Sequence, residues 1–153
     1  MGGTGRPAQL GVDHVGISVT DLERSMEFYC AVLGAEVVFP LMDSHNFSGR
    51  RAVLSLGAQM FDVNEFASNG GEVFDAARTG LDHIGLRAAT RADLDAWAHW
   101  LDQNQVERSP IRNIDTDVPP VQIRGDMFDF QDPDGIQLEF VWVSRLELGT
   151  VTF

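Results

Sequence analysis

A short segment that occurs twice limits the fold of this chain more than any other feature. Asp13-His-Val-Gly-Ile17 returns as Asp82-His-Ile-Gly-Leu86. A histidine at a fixed place in an apolar run, used twice, is typical of a duplicated unit, and such a repeat constrains the whole fold. The two copies therefore predict two similar modules that carry a paired site.

Each copy is followed by the start of an amphipathic helix. Thr20 with Glu23, and Thr90 with Asp93, have the spacing of a capping box. In that motif a hydroxyl and an acidic side chain satisfy the free backbone N–H groups of the first helical turn. Apolar residues then recur at helical spacing in both segments, which predicts one helix in each module.

Three short strands are predicted after each helix. They cover residues 35–39, 51–56 and 59–65 in the first half, and 106–109, 127–131 and 136–143 in the second. The turn Asp132-Pro-Asp-Gly135 separates the last two strands. Residues 111–124 contain two adjacent prolines and few apolar side chains, so they are predicted to form an inserted loop. The loops at 40–50 and 110–125 are expected to determine the substrate.

The order strand, helix and three strands, used twice, predicts an α+β fold of two tandem βαβββ modules. The modules are assigned to residues 10–66 and 80–143, within a single domain of residues 10–143. Residues 1–9 are rich in glycine and are predicted to form a flexible N-terminus, and residues 144–153 a C-terminal tail.

Composition excludes several classes of partner. A chain of 153 residues with 44% hydrophobic content can bury one real core. The chain contains no run of about 20 apolar residues, so no membrane span is expected. The formal charge of −12 argues against nucleic acid and anionic membranes as partners. The segment before Leu10 lacks an apolar signal-peptide core, so a cytoplasmic location is expected.

Strand alternation turns both repeated histidines, His14 and His83, away from the face that packs on the helices. Asp62 and Glu139 occupy equivalent places in the fourth strands of the two modules. Imidazole with carboxylate suits Zn, Ni, Fe(II) or Mn, and two histidines with one carboxylate also form the facial triad of iron oxygenases. The alternative is a metal-free pocket in which these side chains have structural roles.

Two arginines share the same inward face on the predicted strands. Arg51 and Arg87 are candidates for holding an anionic group of a small-molecule substrate, because guanidinium pairs well with carboxylate or phosphate. They are equally compatible with solvent-facing charges. Asp129 also alternates inward, without an assigned role, while His45 and His99 are predicted to lie on the surface.

Three segments resemble the vicinal oxygen chelate superfamily, which includes glyoxalase I, extradiol dioxygenases, methylmalonyl-CoA epimerase, and fosfomycin and bleomycin resistance proteins. The resemblance extends from about Leu10 to Val143. The segments are His14-Val-Gly-Ile-Ser-Val-Thr-Asp-Leu-Glu-Arg-Ser with Phe28-Tyr29 and Leu33-Gly34, then Gly80-Leu-Asp-His83-Ile, and finally Asp132-Pro-Asp-Gly-Ile-Gln-Leu-Glu139-Phe.

The resemblance implies that the two modules form a curved mixed sheet, or cup, with the helices on its outer face. It implies that His14, His83 and Glu139 ligate a divalent metal (Zn, Ni, Fe, Mn or Co) and that Glu139 can also move a proton. Asp62 falls where glyoxalase I has a ligating Glu and the epimerase a Gln, so Asp62 is a fourth candidate ligand. Family members commonly form homodimers, so the resemblance is compatible with a homodimer, although a chain that holds both modules can also form a self-contained cup.

Three activities remain open at this point. The first is a metal-dependent lyase or isomerase of the glyoxalase I type, which chelates a small substrate through two neighbouring oxygens. The second is an Fe(II) ring-cleaving dioxygenase, although the familiar extradiol enzymes of this superfamily are about twice as long. The third is a non-catalytic drug-binding protein, against which the retained His14, His83 and Glu139 argue.

Overall fold

The computed structural model describes residues 11–118 and 121–148. Two compact units divide between Gly70 and Gly71. The prediction of a flexible segment at 1–9 concerns residues outside the described ones, as does the part of the predicted tail (144–153) beyond Leu148, whereas residues 144–148 lie in a strand.

The first unit holds one helix and a four-stranded mixed sheet. The elements are β1 (His14–Ser18), α1 (Leu22–Glu27) continued by a π-helical turn (Phe28–Val32), β2 (Glu36–Asp43), β3 (Gly49–Leu56) and β4 (Gln59–Phe66). Strand β1 pairs in parallel with β4, and the other neighbours are antiparallel, in the order β1-β4-β3-β2.

The second unit repeats this arrangement. Its elements are β5 (Ile84–Arg87), α2 (Arg91–Gln103), β6 (Arg112–Asn113), β7 (Val121–Gln131) and β8 (Gln137–Leu148). The sheet has the order β5-β8-β7-β6, again with a parallel first pair and antiparallel neighbours. The prediction of an α+β fold with two βαβββ modules is therefore confirmed.

Each module buries the sheet face that the alternation predicted. Phe140 in β8 is 4% exposed, and the indole of Trp97 in α2 stacks on its ring with centroids 4.5 Å apart. Each fully buried side chain of this size contributes roughly 1.5–3 kcal/mol to folding. The buried residues on these strands and on the first turns after them include Ile17, Val19, Phe61, Val63, Ala88, Phe128, Phe130 and Leu138. The opposite faces, which carry the repeated histidines, do not pack on the helices.

The two predicted helix caps have different outcomes. Thr90 and Asp93 form the expected capping box, with reciprocal hydrogen bonds of 3.0 Å. The prediction of Thr20 as the first cap is wrong, because Asp21 caps α1 by accepting the N–H of Arg24 at 2.9 Å. Asp is at least as favourable as Thr at an N-cap, so the carboxylate one residue later takes that position.

In each module an ion pair joins the start of the helix to the sheet. The cation lies on the sheet in the first module and on the helix in the second. In the first module Arg50 of β3 donates to both carboxylate oxygens of Glu23 at 2.6 and 2.8 Å, and this pairing lowers the pKa of Glu23. Arg50 also reaches Glu65, which accepts the first N–H of α1. In the second module the cation lies on the helix, where Arg91 donates to Asp126 of β7 at 2.7 Å.

The inserted loop predicted at 111–124 is wrong at both ends. Residues 112–113 form the edge strand β6, and β7 begins at Val121 rather than at 127. Conversely, the strand predicted at 106–109 is reduced to a single bridge between Arg108 and Phe130. Residues 121–124 alternate apolar and polar side chains, but they directly follow two prolines, which favoured the prediction of a loop. Polar contacts hold this end instead, including two hydrogen bonds from Arg124 to Asp117.

The strands also extend further than predicted elsewhere. Strand β2 reaches Asp43 and β3 begins at Gly49, so the loop expected at 40–50 is reduced to residues 44–48. Strand β8 continues to Leu148, past the predicted end at 143. No helix in the described residues has the length and apolar character needed to cross a membrane.

Candidate functional site

The second module brings two of the predicted ligands together. His83 lies immediately before β5, and Glu139 lies in β8, directly beside Gly85 in the parallel ladder. The His83 Nε2 atom is 3.7 Å from Glu139 Oε1. That separation is too long for a hydrogen bond, whose N···O distance is about 2.7–3.2 Å. An imidazole nitrogen and a carboxylate oxygen therefore face each other without being joined by a hydrogen bond.

The Glu139 carboxylate is partly shielded from solvent. Its side chain retains 17% exposure, compared with 45% for that of His83. Within residues 11–118 and 121–148 it accepts no hydrogen bond, and His83 is its ion-pair partner. A shielded carboxylate with free lone pairs is a suitable ligand for a cation.

The other nitrogen of His83 is already engaged. Its Nδ1 lies 2.7 Å from Asp82 Oδ2. This hydrogen bond raises the pKa of His83, and the charge of Glu139 raises it further. The two contacts divide the ring: Asp82 occupies Nδ1, and Nε2 faces Glu139.

The first module presents its histidine in the same way. His14 opens β1, and its Nδ1 lies 2.9 Å from Asp13 Oδ1. That contact raises the pKa of His14, with a smaller contribution from Asp62. Gln59 donates to the backbone carbonyl of Asp13, which fixes the chain beside the histidine.

Asp62 differs from its counterpart Glu139 because it has a cationic partner. Arg51 Nη2 donates to Asp62 Oδ2 at 3.0 Å, and both side chains are about three-quarters buried, at 27% and 21% exposure. This pair places a predicted substrate-binding residue against a predicted ligand. A metal would have to compete with the guanidinium for the Asp62 carboxylate.

Among the described residues, no carboxylate pairs with Arg87, the second predicted substrate-binding residue. It donates to the backbone carbonyl of Val143 at 3.2 Å and is exposed. A guanidinium held by a neutral oxygen remains available to an anion.

Sequence reasoning missed Arg112, which lies in the segment predicted to be a loop. Arg112 pairs through both terminal nitrogens with Asp129, and Ser109 contributes further hydrogen bonds to that residue. Asp129 is the direct ladder neighbour of Glu139. An inward-facing acid in a strand needs a compensating cation, so the unexplained charge of Asp129 was the signal that could have pointed to Arg112.

Gly85 leaves the space that the Glu139 side chain occupies. A Cβ atom built on Gly85 would lie 3.0 Å from Glu139 Oε1 and 3.6 Å from its Cγ. The matching glycine of the first repeat is less confined, since a Cβ on Gly16 would meet Asn64 and Asp62 only at 3.8 and 3.9 Å.

We expect Gly85→Ala to lower divalent-metal affinity about tenfold, an effect of the size seen when groups that orient ligands are changed. The added methyl group forces the Glu139 carboxylate to move by a few tenths of an ångström. Gly16→Ala makes the same backbone change in the other module and should stay within about twofold of wild type. Calorimetric titration of the metal-free proteins with Zn²⁺ measures both. Equal affinities for the two variants would contradict this role of Gly85.

Among the residues that the structure describes, neither module supplies a complete metal site by itself. No group of three or more His, Cys, Asp or Glu side chains within the described ranges is close enough to hold one ion. His45 and His99 are both exposed, as predicted. The Nε2 atom of His99 lies 3.0 Å from Nε2 of Gln103 in the same helix. The local geometry thus gives a His83–Glu139 pair in one module and His14, near an ion-paired Asp62, in the other.

Comparison with known proteins identifies a family. The sequence profile of the Glyoxalase/Bleomycin resistance protein/Dioxygenase superfamily matches residues 11–140. No curated protein matches the sequence.

Solved structures similar to this chain include a glyoxylase/bleomycin resistance protein/dioxygenase domain from Frankia sp. EAN1pec, at 26% identity and a TM-score of 0.72. That match covers 89% of this chain and 99% of the Frankia domain. The fosfomycin resistance protein FosX from Mesorhizobium loti has 23% identity, a TM-score of 0.60 and coverages of 94% and 95%. Lactoylglutathione lyase from Agrobacterium tumefaciens has 16% identity, a TM-score of 0.62 and coverages of 88% and 95%. The last two likenesses show the fold alone.

Proposed function

The chain belongs to the Glyoxalase/Bleomycin resistance protein/Dioxygenase superfamily, and we propose that it is a divalent-metal-dependent lyase or isomerase of the glyoxalase type. Its substrate would be a small molecule that offers two neighbouring oxygen atoms. The observation that carries the proposal is the approach of His83 Nε2 to Glu139 Oε1 at 3.7 Å, with no hydrogen bond between them.

The donor set fits a divalent transition metal. Two imidazoles and a carboxylate suit Zn, Ni, Fe, Mn or Co, whereas an all-oxygen set would suit Mg or Ca. We assign His14, His83 and Glu139 as the ligands. Asp62 is the lesser candidate for a fourth ligand, because its carboxylate is already paired with Arg51 at 3.0 Å.

When bound, such a metal would act as a Lewis acid and stabilise negative charge that develops on the oxygens of the substrate. The protein's own contribution would be proton transfer and orientation. Glu139 is the candidate base, because its carboxylate is shielded and accepts no hydrogen bond among the described residues. Arg87 would hold an anionic group of the substrate, while Arg51 would do so only by releasing Asp62. Homodimer formation and a cytoplasmic location stay predictions.

Metal analysis of purified wild type and His83→Ala tests the proposal. We expect the variant to bind divalent metal about 100-fold more weakly. Zinc-binding free energies of about 10–16 kcal/mol spread over four ligands correspond to roughly 3 kcal/mol for each. His99→Ala removes an exposed histidine and should keep the wild-type affinity. If wild type and His83→Ala bind equally little metal, the proposal fails.

Turnover then distinguishes the reactions. Activity on a hemithioacetal with Zn, Ni or Co would support the lyase. Bound iron with oxygen uptake on catechols would instead identify a ring-cleaving dioxygenase, the alternative that two histidines and one carboxylate also fit. Metal-free protein that binds drug-like molecules without converting them would contradict both enzymatic assignments.

A further inference from the structure

Both site histidines contact the aspartate that precedes them in the chain. Asp13 Oδ1 lies 2.9 Å from His14 Nδ1, and Asp82 Oδ2 lies 2.7 Å from His83 Nδ1. The other two histidines follow Ser44 and Ala98 and have no such neighbour. The contact thus occurs twice, at equivalent positions of the two modules, and on the same ring nitrogen.

We propose that Asp13 and Asp82 are positioning residues that set the tautomer of the two histidines. Each carboxylate accepts the Nδ1–H of its neighbour, so the neutral ring carries its proton on Nδ1 and presents a bare Nε2 to the metal. A ligating nitrogen must be unprotonated, and the hydrogen bond on the other nitrogen determines which one that is. This inference rests on the proposed function, since it assumes Nε2 as the ligating atom.

The exposure of the two aspartates argues for this role over a structural one. Their side chains are 81% and 73% exposed, and solvent-exposed pairs of this kind contribute little to stability. Among the described residues, the histidine is the one side chain that either carboxylate contacts. Both aspartates also lie just outside the regular strands, where the chain can turn the carboxylate back toward the ring. These contacts instead keep the proton on Nδ1 and leave Nε2 free to face the metal.

Nitrogen NMR of metal-free protein with ¹⁵N-labelled histidine tests the tautomers directly. At about pH 8.5, where histidine is largely neutral, we expect His14 and His83 to carry the proton on Nδ1. Asp13→Ala should shift His14 alone toward the Nε2–H form, and Asp82→Ala should shift His83 alone. The signals of His45 and His99 serve as internal controls. Unchanged tautomers in the alanine variants would overturn the proposal.

Zinc affinity provides the second measurement. Asp13→Ala and Asp82→Ala should each weaken Zn²⁺ binding about 10–100-fold. The asparagine variants keep a carbonyl acceptor and should recover much of the loss, which mere destabilisation would not allow. Asp43→Ala removes the same charge from β2, at the opposite edge of the first sheet from β1, and should stay within about twofold.

The two measurements separate this inference from the proposed function. If wild type binds none of Zn, Ni, Fe, Mn and Co, the proposed metal-dependent activity fails, and the tautomers of the metal-free protein still decide the role of the aspartates. If wild type binds zinc but the alanine variants match Asp43→Ala in affinity, the positioning role is overturned while the metal site stands.

Discussion

Replacing Glu139 by glutamine should lower kcat by about 10²–10⁴-fold while the protein keeps most of its bound metal. The range is what general acid–base catalysis by one side chain contributes. Glutamine retains an oxygen that can ligate a cation but cannot take up a proton. The Glu139 carboxylate lies 3.7 Å from His83 Nε2 and accepts no hydrogen bond among the described residues, so a proton on it would come from the substrate or from water.

Asp62→Asn is the matched control for this prediction, because Asp62 occupies the equivalent place in the first module. Its carboxylate is bound to Arg51, so we expect the substitution to change kcat less than tenfold. Steady-state kinetics and mass-spectrometric metal content would be measured on both variants. Loss of metal together with activity in Glu139→Gln would reduce Glu139 to a ligand. An equally large loss of kcat in Asp62→Asn would contradict the assigned asymmetry.

The repeated histidine segment allowed the fold to be predicted because the repeat and the strand alternation are local properties. Buried faces follow a period of two, so the direction in which His14 and Glu139 point could be read directly. The neighbours of the predicted site residues could not. Arg51 reaches Asp62 through the pairing of β3 with β4, and Arg112 reaches Asp129 through that of β6 with β7. Such contacts depend on ladder register, which short polar strands do not reveal.

The extended strands of the second module were missed for a related reason. In strand β7, Asp126 follows the alternation of the buried Phe128 and Phe130, and a bulge between Arg124 and Gly125 shifts the alternation of the residues before it. Ion pairs of Arg124 and Asp126 stabilise that end of the hairpin. The same arrangement supports the first module, where Arg50 joins β3 to Glu23. The cation of the pair lies on the sheet in the first module and on the helix in the second. A residue-by-residue comparison of the two halves therefore does not reveal that both modules have such a pair.

A second repeated feature, invisible in the sequence, predicts a large loss of stability. Gly49 pairs with Phe66 in the first module, and Gly125 faces Val143 in the second. These places are equivalent, because Phe66 and Val143 each lie four residues beyond the corresponding carboxylates of β4 and β8. A Cβ on Gly49 would overlap the backbone carbonyl of Glu65, and one on Gly125 would overlap that of Trp142.

We therefore expect Gly49→Ala and Gly125→Ala each to lower the free energy of unfolding by about 3 kcal/mol, near the upper end for overpacking. The obstacle is the backbone of the partner strand, which can move only by opening the ladder, and Gly49 adds strain through its φ of +149°. Gly57→Ala is the control. Its φ is +62°, but its Cβ would meet nothing within 4 Å, so it should cost only about 1 kcal/mol. Urea unfolding measures all three. If alanine costs the same at positions 49, 57 and 125, close strand approach is not what requires glycine, and the equivalence of the two ladders loses its physical basis.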